Sequence, residues 1–210
     1  MKNLEKYRQR RDFAKSPEPE GKTGKKIAKK FPLFVIQKHE ARNLHYDFRL
    51  EVDGVLKSWA VPKGISLRSL EKRLAVQTED HPMEYADFEG TIPKGEYGGG
   101  SVMIWDRGFF LNLTHEKSDL ISPEKALQNG HLSFWLEGAK AKGKFTLERI
   151  NDRTRSWLLI KREDSMPYQI KKTSGPRPYK IVRRDIGKTV GSSTSRAKAE
   201  ASIRARHVKK

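Results

Sequence analysis

NLHYDFRLEVDG, residues 43–54, decides the fold class. Leu44, Tyr46, Phe48, Leu50 and Val52 alternate with His45, Asp47, Arg49 and Glu51. That period of two is the mark of a β-strand with one buried and one solvated face. Asp53-Gly54 follows as a two-residue hairpin signal, and VLKSWAV (55–61) continues as the return strand. The polar face places an imidazole, a carboxylate and a guanidinium in one row. Alternation by itself leaves open whether that row is solvated sheet surface or a site.

Further short β-type runs extend the pattern on both sides. They are LFVIQK (33–38), RLAVQTE (73–79), SVMIWD (101–106), FFLNLT (109–114), LSFWLE (132–137), KFTLERI (144–150) and SWLLIK (156–161). Arg107-Gly108 and Asn151-Asp152-Arg153 read as further tight connections. Ser122–Asn129 reads as a helix, with Ser122 as cap, Pro123 in the first turn and Gly130 as terminator. Many short strands with brief turns predict an all-β, mainly antiparallel barrel or sandwich. Residues 1–31 are polar and basic. After Pro167 the alternation is lost, and TVGSSTSRAKAEASIRARHVKK reads as a linker followed by a basic helix.

Composition narrows the chemistry. The 210 residues include no cysteine, which excludes a disulfide framework and thiolate metal sites. No apolar run approaches the roughly 20 residues of a membrane helix, and MKNLEKYRQRRDF lacks the apolar centre of a signal peptide. A soluble cytoplasmic protein is expected. The net charge of +18 favours polyanionic partners. Much of it lies in residues 171–210, where thirteen Lys and Arg face only Asp185 and Glu200.

Three polar clusters can carry chemistry. Same-face residues on a strand lie about 7 Å apart, so His45 and Asp47 can converge on one ion. His39 joins them if the intervening connection folds back. Two imidazoles and a carboxylate suit Mn²⁺, Fe²⁺ or Zn²⁺, and Arg49 would then meet a bound phosphate. The competing reading is a set of exposed strand residues. In RLAVQTEDHP (73–82), Arg73, Ala75, Gln77, Glu79 and His81 share a face by the same alternation, giving either a second catalytic strand or an amphipathic edge. FEGTIPKGEYGGG (88–100) lacks the spacing of a phosphate-binding P-loop and reads as a long hairpin or substrate rim. Lys63 and Lys94 are either phosphate contacts or turn lysines. His115 and His131 have no partners in the local pattern. Trp59, Trp105, Trp135 and Trp157 all fall in strand runs and read as core.

QKHEARNLHYDFRLEVDGVLKSWAVPKG, RLAVQTEDHPMEYADFEGTIPKGEYGGG and SWLLIKRED resemble the 3′-phosphoesterase domain of bacterial and archaeal DNA ligase D, a family of non-homologous end joining. The resemblance covers about residues 5–165. It implies a compact closed β-barrel with its active site on an outer concave surface, here residues 32–165 between an N-terminal segment (1–31) and a basic, flexible tail (166–210). It implies a Mn²⁺-dependent enzyme, with Zn²⁺ or Co²⁺ as other candidates. Such an enzyme removes a terminal ribonucleoside and then hydrolyses the 3′-phosphate to a hydroxyl. By resemblance His39, His45 and Asp47 are the metal ligands, and Arg49 and His81 act at the phosphate. Lys63, Arg73, Glu79 and Tyr85 match further substrate positions. RRDFAKSPEPEG, residues 10–21, also matches, so Arg11, Asp12 and Glu18 are expected to fold over the site and join catalysis.

The partners implied are 3′ ends of DNA or DNA/RNA primer-templates, with separate end-joining ligase, polymerase or end-binding proteins. A monomer associated with the nucleoid, and not with a membrane, is expected. The chain has no room for ligase or polymerase domains, so a stand-alone enzyme is expected. Two rivals remain at this stage: a non-catalytic basic β-barrel that binds nucleic-acid ends, and a metal-dependent oxygenase or isomerase on a cupin-like barrel.

Overall fold

The computed structural model describes residues 4–21, 31–151, 153–163, 168–183 and 189–206, with the side chains of 183 and 204–206 left out. The chain divides into two compact units, Met1–Arg162 and Glu163–Lys210.

In the first unit, a short helix α1 (Glu5–Gln9) precedes strands β1 (Leu33–Glu40), β2 (Leu44–Val52), β3 (Val55–Val61) and β4 (Lys72–Gln77). A 3₁₀ turn (Met83–Asp87) leads to β5 (Gly90–Ile92), β6 (Gly100–Asn112) and the small pair β7 (His115–Glu116) and β8 (Asp119–Leu120). Helix α2 (Pro123–Gln128) is followed by β9 (His131–Gly138), β10 (Lys142–Arg149) and β11 (Ser156–Lys161). The sheet order β1-β2-β3-β4-β11-β10-β9-β6 closes through β6 on β1, giving an antiparallel eight-stranded barrel with β5 added at β6. Closure removes the exposed edges that an open sheet would leave.

Local chemistry explains the main joints. Asp53 and Gly54 both have positive φ (52° and 75°), as the tight hairpin between β2 and β3 requires. Ser122 Oγ accepts from Lys125 N at 3.2 Å and caps α2. The Asn151-Asp152-Arg153 connection falls partly outside the described residues, since Asp152 is not among them. Arg107-Gly108 is not a turn. Strand β6 runs straight through it, and a Cβ on Gly108 would meet Glu137 O at 2.2 Å and the Phe34 ring at 2.9 Å. Glycine stands there to let two backbones and a ring approach closely.

The barrel interior is filled by Phe34, Ile36, Phe48, Leu50, Trp59, Phe134, Phe145, Trp157 and their neighbours. Trp135 is buried and Trp105 packs half-buried against this core. A second apolar layer lies on the opposite face of β1, joining Tyr7, Leu33, Val35, Leu56, Tyr85 and Phe88. This layer corrects the expectation of a solvated face on β2. Asp47 is 6 % and Arg49 2 % exposed, because α1 and the segment around the 3₁₀ turn contribute to an outer layer that covers this wall. The alternation on 73–81 also breaks. Trp59 pairs with Gln77, yet Leu56 pairs with His81, so one extra residue intervenes. That bulge sends Ala75 into the barrel core and His81 to the outer face.

The second unit has three antiparallel strands, β12 (Tyr168–Lys172), β13 (Tyr179–Arg183) and β14 (Thr189–Ser193), and helix α3 (Arg196–Arg206). Its own small core gathers Ile181, Ala199 and Ile203 with Tyr168, Ile170, Tyr179 and Val190. The helix stands where the sequence indicated one, but the strands before it left no run long enough to read. Among the described residues no helix is long and apolar enough to cross a membrane.

Candidate metal and phosphate site

Antiparallel pairing of β1 with β2 sets His39 directly opposite His45, two residues from Asp47. The connection from Glu40 to Leu44 therefore folds back as the metal reading required. One ligand atom from each of His39, His45 and Asp47 lies within 4.8 Å of the others.

The tautomers are set by the backbone. His39 Nε2 lies 2.8 Å from Gly98 O, and His45 Nδ1 lies 2.9 Å from Asn43 O. A carbonyl only accepts, so each of these nitrogens carries the proton. The remaining lone pairs, on His39 Nδ1 and His45 Nε2, point toward Asp47 at 3.5 and 3.7 Å. Two lone pairs facing a carboxylate is the arrangement that a cation resolves, and carbonyl-anchored imidazoles are the usual support of metal ligands. The donor set fits a divalent ion.

Arg49 stands behind Asp47. Its Nη2 donates to Asp47 Oδ2 at 2.9 Å, Nε to Gln37 Oε1 at 2.8 Å and Nη1 to Ser58 Oγ at 2.9 Å. Burial would raise the Asp47 carboxyl, but the Arg49 guanidinium beside it holds it below the ordinary carboxylate range. Gln37 in turn donates to Tyr85 O and Phe88 O, which ties the guanidinium to the outer layer.

The network continues into the N-terminal segment. The Arg49 guanidinium lies 4.6 Å from the centre of the Tyr85 ring, and Tyr85 Oη donates to Glu18 Oε1 at 3.0 Å. Arg11 bridges Glu18 (2.8 Å) and Glu79 (3.0 Å), and all three side chains are at most 4 % exposed. Arg11 Nη2 donates to His81 Nε2 at 3.2 Å, while His81 Nδ1 donates to Glu79 O at 2.9 Å. Burial, then the charges of Arg49 and Arg11, push the His81 pKa well below its ordinary 6.5. His81 is therefore neutral, with its Nε2 an acceptor.

Of the residues named from the sequence, this network joins His39, His45, Asp47, Arg49, Tyr85, Glu18, Arg11, Glu79 and His81. Three of those matched by resemblance stand apart from it. Asp12 pairs with Lys15 at the surface, Lys63 is exposed after β3, and Arg73 pairs with Glu71. The sequence reading missed Tyr7, Gln37, Ser58, Arg10 and Tyr97. Tyr7 packs edge-on against His81 and donates to Pro19 O at 2.7 Å, holding the segment down. Arg10 reaches Glu79 at 3.0 Å and Tyr97 Oη at 2.7 Å. Gln37 was detectable as an amide that directly follows the apolar run LFVI.

The model of the DNA ligase D 3′-phosphoesterase domain matches residues 37–149. The multifunctional non-homologous end joining protein LigD of Pseudomonas aeruginosa is 50 % identical over 165 residues, 78 % of this chain and 19 % of that protein. Its counterpart from Mycolicibacterium smegmatis is 45 % identical over 159 residues, 75 % of this chain and 20 % of its own length. The multifunctional non-homologous end joining DNA repair protein LigD of Mycobacterium tuberculosis is 43 % identical over 168 residues, 79 % and 21 %. The chain thus spans about a fifth of the length of these relatives. The matched residues carry the barrel wall, the His-His-Asp cluster, Arg49 and His81 together, and this chain belongs to the DNA ligase D 3′-phosphoesterase domain family.

Proposed function

We propose that this chain is a divalent-metal-dependent phosphoesterase that heals 3′ ends of nucleic acid. It would remove a terminal ribonucleoside to leave a 3′-phosphate, and hydrolyse that phosphate to a 3′-hydroxyl. The observation that carries the reading is the pair of carbonyl-anchored imidazoles aimed at one buried carboxylate. His39, His45 and Asp47 would hold the ion, which we assign as Mn²⁺ with Zn²⁺ and Co²⁺ as alternatives. When bound it supplies Lewis acidity toward a phosphate oxygen.

The protein's own groups divide the remaining work. Arg49 spends a hydrogen bond from each of its three nitrogens on Gln37, Ser58 and Asp47, so its first task is to fix the Asp47 carboxylate. His81 has no proton on Nε2 to give, which disfavours it as the acid for the leaving 3′-oxygen. Arg11, which donates to that nitrogen, is the better source of positive charge for developing negative charge on phosphorus-bound oxygens. Glu18, Glu79 and Tyr85 orient Arg11. Lys63 and Arg73 are assigned to substrate phosphates and Asp12 to catalysis, on family resemblance alone. The carboxylates of Asp47, Glu18 and Glu79 face the buried Arg11 and Arg49 and the exposed Arg10 at the rim. A divalent ion added to this balanced set leaves a positive site suited to a phosphate dianion.

A primer-template with a 3′-phosphate or a 3′-ribonucleotide, incubated with the chain and Mn²⁺, tests the proposal. Conversion to a 3′-hydroxyl is expected, with loss in His45→Ala. Binding of the end without conversion under every divalent metal tried would favour the non-catalytic end-binding module. The relatives' names place them in non-homologous end joining. We infer that this chain acts in the same repair, in the cytoplasm at the nucleoid.

A further inference from the structure

The second unit is not used by this chemistry, yet it holds a disproportionate share of the charge. Alternate residues Tyr168 and Ile170 of β12 and Tyr179 and Ile181 of β13 pack with Ala199 and Ile203 of α3. The opposite face of the sheet therefore carries Gln169, Lys171, Lys180 and Val182. Val182 is buried, while Lys171 is exposed and Lys180 half-exposed. The register sets Lys171 directly opposite Lys180. Like charges in a cross-strand pair cost stability, and a polyanion laid across them removes that cost.

Neighbouring charge reinforces the pair. Lys172 ends β12 on the helix side of the sheet, and Arg177 is exposed in the hairpin between β12 and β13, which is closed by Thr173 N donating to Pro178 O at 2.7 Å. The described acidic residues of this unit are Glu163, exposed at its start, and Glu200, which pairs with Arg196 at 3.1 Å. No ion pair reaches Lys171, Lys172, Arg177 or Lys180 among the described residues. Tyr168 and Tyr179 lie on the helix side of the sheet, so the basic face offers no aromatic platform for stacking unpaired bases.

We propose that the unit Glu163–Lys210 is a duplex-DNA-binding module that contacts phosphates through Lys171, Lys180 and Arg177. Its covalent link raises the local concentration of duplex for the barrel without adding a contact at the reacting end. The proposal stands apart from the phosphoesterase reading, because the duplex backbone contacted need have no end.

Anisotropy of a labelled duplex capped by hairpins at both ends, titrated with the full chain across a salt series, tests it. Binding is expected, and Lys171→Ala/Lys180→Ala should lower the slope of log K against log salt by about 1.8, at about 0.9 per phosphate contact. Lys171→Arg/Lys180→Arg should bind like the parent, which separates charge from folding, and so should His45→Ala, which separates this surface from the metal site. An unchanged slope in the alanine pair overturns the assignment, as does an arginine pair that fails like it. Loss of binding in His45→Ala also overturns it, and single-stranded DNA bound as tightly as the duplex overturns the choice of duplex.

Discussion

Arg49 Nη2 donates to Asp47 Oδ2 at 2.9 Å from inside a wall where neither residue is more than 6 % exposed. The same guanidinium is pinned by Gln37 and Ser58, so the carboxylate is held before any ion arrives. Lysine keeps the charge but cannot make this three-way set of bonds. Arg49→Lys should bind Mn²⁺ about 10- to 100-fold more weakly, the usual cost of losing support behind a metal ligand. Calorimetric titration measures this without reference to turnover. Unchanged affinity would return Arg49 to a direct phosphate role.

Arg11 is the only described cation that joins Glu18 of the N-terminal segment to Glu79 beside β3. Removing one partner of a buried ion pair leaves the others uncompensated, typically at about 3–5 kcal/mol. Arg11→Ala should lose stability on that scale in urea denaturation, along with most activity. Arg11→Lys should recover part of the stability but little activity, because lysine cannot span Glu18, Glu79 and His81 together. Activity that returns in Arg11→Lys in step with its stability would show that Arg11 only holds the segment down.

Much of the barrel was legible because a strand that buries one face declares itself in two-residue alternation, as Tyr46, Phe48 and Leu50 do. The metal cluster was legible for a related reason: His45 and Asp47 share a face, and a hairpin returns His39 beside them. What covers that face was not legible. Tyr7 and Tyr85 come from segments with no strand periodicity, and only family resemblance placed 10–21 over the site. The bulge before His81 was equally hidden, since an extra residue in a strand leaves no mark in composition. Gly108 misled in the opposite sense, because a glycine needed for close approach looks in sequence like one needed for a turn.

His81 sets an acid limit on stability. Its folded pKa lies well below 6.5, so under mild acid the unfolded chain binds a proton that the folded chain refuses. Its contribution is fully present above about pH 6.5 and is lost as pH falls below it. Urea midpoints between pH 8 and 5 should fall in the parent and fall less steeply in His81→Asn. On the alkaline side, burial first of all raises Tyr7 and Tyr85, so their contribution is lost as pH rises past 10. Parallel acid slopes in parent and variant would mean that His81 is charged in the folded state.

Gly100 links the barrel's geometry to the metal site. It begins β6 with φ of 147°, and a Cβ there would meet Glu40 O at 2.4 Å and Ala41 Cα at 2.7 Å. Two residues earlier, Gly98 O fixes the proton of His39 on Nε2 and so aims Nδ1 at Asp47. Gly100→Ala must move the 93–99 turn away from the β1–β2 connection, because both atoms it meets are backbone. Strain of this kind costs on the order of 1–3 kcal/mol. The displaced carbonyl should also weaken Mn²⁺ binding, while Gly54→Ala, strained by φ of 75° but with open space around it, should lower stability without touching affinity. Equal metal affinity in the two variants would break the link between this turn and His39.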